Sequence, residues 1–334
     1  MTPVKTTFRG FGSLISTVPD ILMPKIVTLT PNPALDIAAH IDALVPAHKL
    51  RCGAVRRDPG GGGINVARVV HRLGGEAVAV YAAGGGSGDE LAALLDGEGL
   101  RHRPARVGGH TRESFNLTDD RTAQQYRFIL PGDPISEAEC NGLIRLATTA
   151  LAPNDYLVGS GSLPPGAPQD FYARAIAAAK PRGALTAIDS QGEPLAAALA
   201  EGVYLAKASA REWSAHLDAA PEGVPGWHDV LRPLVASSRA RMAIVTLGAD
   251  GAVLVAADAA WHASVPRVES ITTVGAGDSF LGALLVKLID GAIPDDALRY
   301  AAAAGTASLL VTGTGLCAPA EVERLSAQVT VRAI

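Results

Sequence analysis

No run of 18 apolar residues occurs in this 334-residue chain, although 48 % of its residues are hydrophobic. The apolar content therefore belongs to a buried core, and no membrane span is expected. Cysteine is scarce: Cys52, Cys140 and Cys317 are odd in number, scattered and without C-x-x-C spacing. That excludes a disulfide framework and a thiolate zinc site, and it fits a reducing cytoplasm. Neither sign of charge dominates, with a formal net charge of −4, so no global basic field favours nucleic acid or an acidic membrane. An anionic ligand would have to be met by locally clustered Arg and Lys. Aromatic residues make up only 4 %, which leaves Ala, Val and Leu to pack the interior. The first 22 residues lack the continuous apolar core and small-residue cleavage site of a secretory leader. They read as a poorly ordered tail ahead of a domain over residues 23–334.

What is present is alternation. The runs "KIVTLT" (25–30), "AVAVYAA" (77–83), "DYLVG" (155–159), "ALTAI" (184–188), "VYLA" (203–206) and "MAIVTL" (242–247) read as buried strands. Between most of them lie stretches of helical period, such as Val66–Leu73, Asp89–Gly97, Glu137–Leu151, Asp170–Lys180 and Trp227–Arg239. This alternation predicts an α/β fold with a mainly parallel sheet and helices on both faces. Residues 33–58 and about 104–130 depart from it: they alternate polar with apolar and have no helical stripe. They predict a small inserted β-sheet hinged to the main domain, a candidate lid or dimer surface.

Four glycine-rich stretches follow strand-like runs. "AAGGGSGDELAALLDGEG" (82–99) lacks the full G-x-G-x-x-G order and the later acidic residue of a dinucleotide site, so it reads as a packing turn. "VGSGSLPPG" (158–166) fails the G-x-S-x-G spacing of a nucleophile elbow, yet a polar turn at a strand's end remains a candidate ligand contact. "DPGGGGINVAR" (58–68) is either a hinge or a close backbone approach to a ligand, with Asn65 offering a donor and an acceptor to sugar hydroxyls. "TTVGAGDSF" (272–280) opens a helix like an anion site, but no G-K-[ST] follows, so it is not a P-loop. On residues alone, Asp278 there is either an N-cap or a chemical group placed beside free amides.

Taken together, "TLTPNPALD" (28–36), "PGGGGINVAR" (59–68), "SGSLPPG" (160–166), "TLGADGA" (246–252) and "TVGAGDSF" (273–280) stand in the order found in the PfkB/ribokinase family of carbohydrate kinases. The chain resembles that family from about Met23 to Cys317. "HKLRC" (48–52), "GGGGIN" (60–65), "QYRF" (125–128) and "GLC" (315–317) are similar to its 6-phosphofructokinase branch. The resemblance implies a ribokinase-like three-layer α/β/α sandwich with a β-lid. It also implies transfer of the ATP γ-phosphoryl group to a sugar phosphate, fructose 6-phosphate first, with fructose 1-phosphate or tagatose 6-phosphate as alternatives. A sugar-phosphate-binding regulator without catalysis is the rival from another class. A ribose or nucleoside kinase fits less well, because the basic lid residues would meet no phosphate.

Carried over residue by residue, the resemblance makes Asp278 the catalytic base and the amides of Gly275, Ala276 and Gly277 its anion hole. Asp36, Gly62, Gly63, Asn65 and Ser162 would hold the sugar. Lys49 and Arg112, with Arg51 and Arg127, would meet its phosphate. Lys207, Thr246, Gly248, Gly251 and Ser279 would line the ATP site. The family's N-x-x-E, which organises Mg²⁺ through water, appears here as "SARE", so Glu212 remains and Ser209 replaces the Asn. A monovalent cation such as K⁺ near Thr272, Val274 and Gly313 is a further family expectation, and an exposed lid edge suggests a lid-to-lid homodimer.

Overall fold

Short apolar runs bounded by glycine or proline become strands, and the segments of helical period between them cross over the sheet. The computed structural model describes residues 25–217, 221–311 and 315–334; the tail expected over residues 1–22 lies outside them. In chain order come β1 (Ile26–Thr30), β2 (Ala34–Ile41), β3 (Arg56–Gly60), α1 (Gly62–Arg72), β4 (Ala77–Ala83), α2 (Gly85–Gly97), β5 (His102–Arg106), β6 (Arg112–Asp119) and β7 (Gln124–Ile129). Then follow α3 (Glu137–Thr148), β8 (Tyr156–Ser160), α4 (Phe171–Ala179), β9 (Leu185–Asp189), α5 (Gly192–Glu201), β10 (Val203–Ser209), α6 (Ala210–Leu217), α7 (Gly223–Ala236) and β11 (Ala240–Thr246). The chain closes with β12 (Ala252–Ala256), β13 (Ala260–Ser264), α8 (Ala276–Ile289), α9 (Pro294–Ser308), α10 (Pro319–Ser326) and β14 (Thr330–Ala333).

The large sheet has the order β14-β13-β12-β11-β10-β9-β8-β1-β4-β5. It is parallel from β11 to β5 and antiparallel from β11 to β14. Successive side chains of a strand point to opposite faces, and the core divides accordingly. Along β4, Ala77, Ala79, Tyr81 and Ala83 join the cluster that contains α1, α8 and α9, while Val78, Val80 and Ala82 join the one that contains α3, α4, α5 and α7. This is the expected three-layer sandwich. Small residues let its helices approach closely: a Cβ on Gly282 of α8 would stand 2.8 Å from Val69 Cγ1 of α1.

The second sheet has the order β3-β2-β6-β7, with β2 parallel to β6 and antiparallel pairs on either side. The alternation over 104–130 predicts that the second insertion begins near 104, and here the structure differs. His102–Arg106 pairs with β4 as the edge of the main sheet, and only residues from Arg112 onward enter the small sheet. Backbone pairing with an existing parallel edge outweighs the polar character of "HRPAR". The "AAGGGSG" stretch is a packing turn as expected, since a Cβ on Gly84 would stand 1.8 Å from the Gly109 carbonyl oxygen.

The order in which strands are added switches sides at β1, with β4 and β5 on one flank and β8 to β11 on the other. Such a switch point opens a crevice at the carboxyl ends of the strands. Among the described residues no helix is long and apolar enough to cross a membrane.

Candidate active site

The crevice is floored by the turn that starts α8. Gly275 takes the left-handed conformation (φ 75°), and the first helical bond runs from the Ser279 amide to the Gly275 carbonyl at 2.8 Å. The amides of Ala276, Gly277 and Asp278 precede it and therefore have no intrahelical acceptor. Asp278 itself makes no side-chain cap. Instead, Asn65 Nδ2 from the first turn of α1 donates to Asp278 Oδ2 at 2.9 Å. Burial pushes the Asp278 carboxyl above its ordinary value, against the Asn65 hydrogen bond and the positive charge of Lys207. The N-cap reading of Asp278 is thus replaced by a carboxylate held by a residue 213 positions away.

Lys207 near the end of β10 and Asp189 at the end of β9 are direct cross-strand partners, and their charges meet at 2.7 Å. Burial works against the Lys207 charge, but Asp189, with Asp278 and Glu212, more than offsets it and raises the ammonium above its ordinary value. Burial pushes the Asp189 carboxyl up to about 6 despite this pairing, with the nearby charge of Asp278 adding to the rise. The ammonium also lies over the anion turn, because a Cβ on Gly277 would stand 2.7 Å from Lys207 Nζ. With Gly62, Ser160, Ser162, Ser209, Glu212 and Thr246, these groups line a cleft of 340 Å³. A second cleft of 610 Å³, lined by Ala210 and Leu247, the chain neighbours of Ser209 and Thr246, also includes Trp227, Asp250 and His262.

At the other side of the crevice, Asp36 of β2 packs its carboxylate against the α-carbon of Gly60, where a Cβ would stand 2.4 Å away. Burial pushes Asp36 up to about 6, against the charges of Arg112 and Arg127. Arg112 donates to the carbonyls of Leu130 and Asn32 at 3.3 Å each, and its buried Nε has no partner among the described residues. Ser162 accepts from Asn32 Nδ2 at 3.4 Å, and a Cβ on Gly62 would stand 2.4 Å from Ser160 Oγ. Lys49 and Arg51 sit on the exposed loop between β2 and β3. Among the described residues no hydrogen bond or ion pair joins them to Asp36 or Arg112.

The crevice thus holds free helix-start amides, a buried lysine and a carboxylate, with Asp36 and Arg112 of the small sheet at its other side. Residues 30–321 match the pfkB family carbohydrate kinase profile. The chain belongs to the pfkB family of carbohydrate kinases. It is 41 % identical over 305 residues to the ATP-dependent 6-phosphofructokinase isozyme 2 of Mycobacterium tuberculosis, covering 90 % of this chain and 88 % of that protein. The Escherichia coli isozyme 2 is 37 % identical, covering 91 % and 99 %. Among solved structures, phosphofructokinase-2 from Escherichia coli in complex with potassium superposes with a TM-score of 0.88 at 36 % identity, covering 92 % and 99 %.

Within this pfkB scaffold, the expected site residues Ser279, Gly251, Gly248 and Ser209 each take part in local structure. Ser279 is fully buried and turned toward Cys317, and its amide is used inside α8, so it is not among the residues that line the cleft. Gly251 (φ 86°) is required by the turn between β11 and β12, where a Cβ would meet the Ala263 carbonyl oxygen at 1.8 Å. Gly248 (φ 61°) lies in the same turn, with open space around it. The Ser209 hydroxyl is engaged by its own helix. It forms a capping box with Glu212: Ser209 N and Oγ both donate to Glu212 Oε2 at 2.7 Å, and Glu212 N donates back to Oγ at 3.4 Å. "SARE" has the S-x-x-E form of that motif. Glu212 Oε1 has no hydrogen-bond partner among the described residues, so this oxygen suits a hydrated divalent cation. Gly313 lies outside the described residues. Asp189 was not singled out by its sequence, although an acid ending the "ALTAID" strand is a signal of the right kind.

Proposed function

We propose that this kinase transfers the γ-phosphoryl group of ATP to the free primary hydroxyl of fructose 6-phosphate. The observation that carries the reading is the Asp278–Asn65 contact at 2.9 Å, set beside the free amides that open α8. Asn65 occupies Oδ2 and leaves Oδ1 to take the hydroxyl proton as the sugar oxygen bonds to phosphorus and the bond to the ADP oxygen breaks. The amides of Ala276, Gly277 and Asp278 and the Lys207 ammonium face the charge that develops on the transferring group. Asp36 would accept a sugar hydroxyl. Arg112, with an unpartnered buried Nε, would take the sugar's own phosphate, since a buried donor without an acceptor is costly unless a ligand completes it. Arg127 would stand with it, and Lys49 and Arg51 would reach the site only from the exposed loop.

Mg²⁺ would be held by the ATP phosphates and by water from Glu212, and it would supply charge neutralisation there. A monovalent cation beside Thr272 and Val274 belongs to the same proposal. The edge strand β7 exposes Phe128 and Ile129, with Leu130 just after it; a lid-to-lid homodimer would cover this edge. Purified protein assayed for ADP release with ATP, Mg²⁺ and fructose 6-phosphate, fructose 1-phosphate or tagatose 6-phosphate tests the reading. Higher kcat/KM for fructose 6-phosphate is expected. A preference for either other sugar moves the assignment there, and no ADP with any of them leaves a binding protein without catalysis.

A further inference from the structure

Asn65 carries a terminal amide, which has two nearly isosteric orientations. Only one of them presents Nδ2 to Asp278. Arg68, one turn further along α1, selects it: Arg68 Nη1 donates to Asn65 Oδ1 at 3.3 Å and to the Pro59 carbonyl at 2.8 Å. Arg68 is 1 % exposed, and its Nε donates to Glu98 Oε2 at 2.8 Å. Glu98 follows α2 and lies outside the cleft. The same carboxylate also approaches Arg72, whose Nη2 is 3.6 Å from Oε1. Arg72 Nη1 in turn donates to the Leu316 carbonyl at 3.4 Å. Leu316 covers the α8 turn so closely that a Cβ on Gly275 would stand 2.7 Å from its Cδ2.

Two arms therefore leave one carboxylate. One runs through Arg68 and Asn65 to the Asp278 carboxylate, and the other through Arg72 and Leu316 to the glycine that starts the helix bearing Asp278. We propose that Glu98 is a remote positioning residue for phosphoryl transfer, holding the proton acceptor through Arg68–Asn65 and its helix turn through Arg72–Leu316. The inference rests on the reading of Asp278 as the base. It assigns work to three residues that touch neither substrate. The Arg68 arm matters most after the proton has moved. A protonated Asp278 no longer demands a donor from Asn65, and only the Arg68 hydrogen bond then keeps the amide aligned for the next turnover.

The test uses Glu98→Gln, Arg68→Met and the double variant in the intact protein, with fructose 6-phosphate and ATP, alongside thermal melts. A misplaced reacting group costs on the order of 10–100-fold in rate, and a kcat loss of that size is expected in each single variant while the KM for ATP stays unchanged. The acid limb of the kcat–pH profile should move in both, because the hydrogen bond to Asp278 is no longer fixed. The double variant should be no slower than the worse single one. Wild-type kcat and pH profile in folded Arg68→Met, or losses that multiply in the double variant, would overturn the proposal. If Glu98→Gln fails to fold, Arg68→Lys replaces it, since a lysine keeps the charge but cannot span both Glu98 and Asn65. Wild-type kcat in Arg68→Lys likewise refutes the inference. Asp278→Asn is run beside these: if it keeps turnover the base reading fails, whereas if it loses turnover and the Arg68 variants do not, only the positioning inference fails.

Discussion

Gly277→Ala isolates one contact. Gly277 has helical backbone angles, so alanine introduces no backbone strain, and the helix gains roughly 1 kcal/mol from it. The new Cβ would stand 2.7 Å from Lys207 Nζ, while ordinary contact begins at 3.4 Å, so the ammonium must retreat by about 0.7 Å (3.4 minus 2.7). A lysine tip is usually free to move, but this one is 3 % exposed and pinned at 2.7 Å to Asp189. Overpacking of this sort costs about 1–3 kcal/mol. After the helix gain, the net loss of stability is about 0–2 kcal/mol. Activity should fall much further, on the order of 100-fold in kcat/KM for ATP, because the displaced charge faces the transferring phosphoryl. Steady-state kinetics beside a thermal melt reads both quantities. Lys207→Met combined with Gly277→Ala should be no slower than Lys207→Met alone. Wild-type kcat/KM in Gly277→Ala, with an unchanged melting temperature, would refute the reasoning.

Asp278→Asn should retain binding of ATP and sugar phosphate by calorimetry while losing roughly 10²–10⁴-fold in kcat; near-normal turnover would remove the base. Arg112→Ala should raise the KM for the sugar phosphate far more than that for ATP, and equal effects would dissociate Arg112 from the phosphate. Asp36 has a folded-state pKa of about 6 against an ordinary 3.8, so between these values the folded protein binds more protons than the unfolded chain and stability falls as pH rises. Asp36→Asn should therefore melt higher than wild type at pH 7, differ little at pH 4, and bind the sugar phosphate worse; an unchanged melt at pH 7 would contradict the burial account. Ser209→Ala removes the α6 cap and should cost about 0.5–2 kcal/mol, whereas Ser209→Asn, an equally good cap, should not; identical melts for both would show that the capping box is unimportant.

The parallel strands other than β5, and the glycine turns before α1 and α8, were legible because each is a local pattern: an apolar run, or glycines before a helical stripe. What stayed hidden depends on register. Asp189 meets Lys207 only because β9 and β10 align those two residues as neighbours. Glu98 meets Arg68 only because α2 ends beside α1. β12 and β13 follow β11 with no α-helix between them, so the strand–helix alternation carries no signal for them. "SARE" carries the S-x-x-E pattern of a capping box in plain view, whereas the N-x-x-E motif differs from it only in the first side chain. Ser279 lies one residue past Asp278 in the same helix turn, and a 100° rotation turns it into the core.

The position of β1 has a consequence for how the protein is made. β1 is complete at Thr30, yet one flank waits for residues 77–83 and the other for residues 156–160. During vectorial synthesis its second edge stays bare until about half the chain has emerged from the ribosome, and an unpaired apolar edge invites association between nascent chains. Asp278 emerges later still, so a nascent chain can bury most of its sheet well before it carries the proposed base. Truncation products ending before α8 should therefore be able to collapse, yet be inert toward ATP.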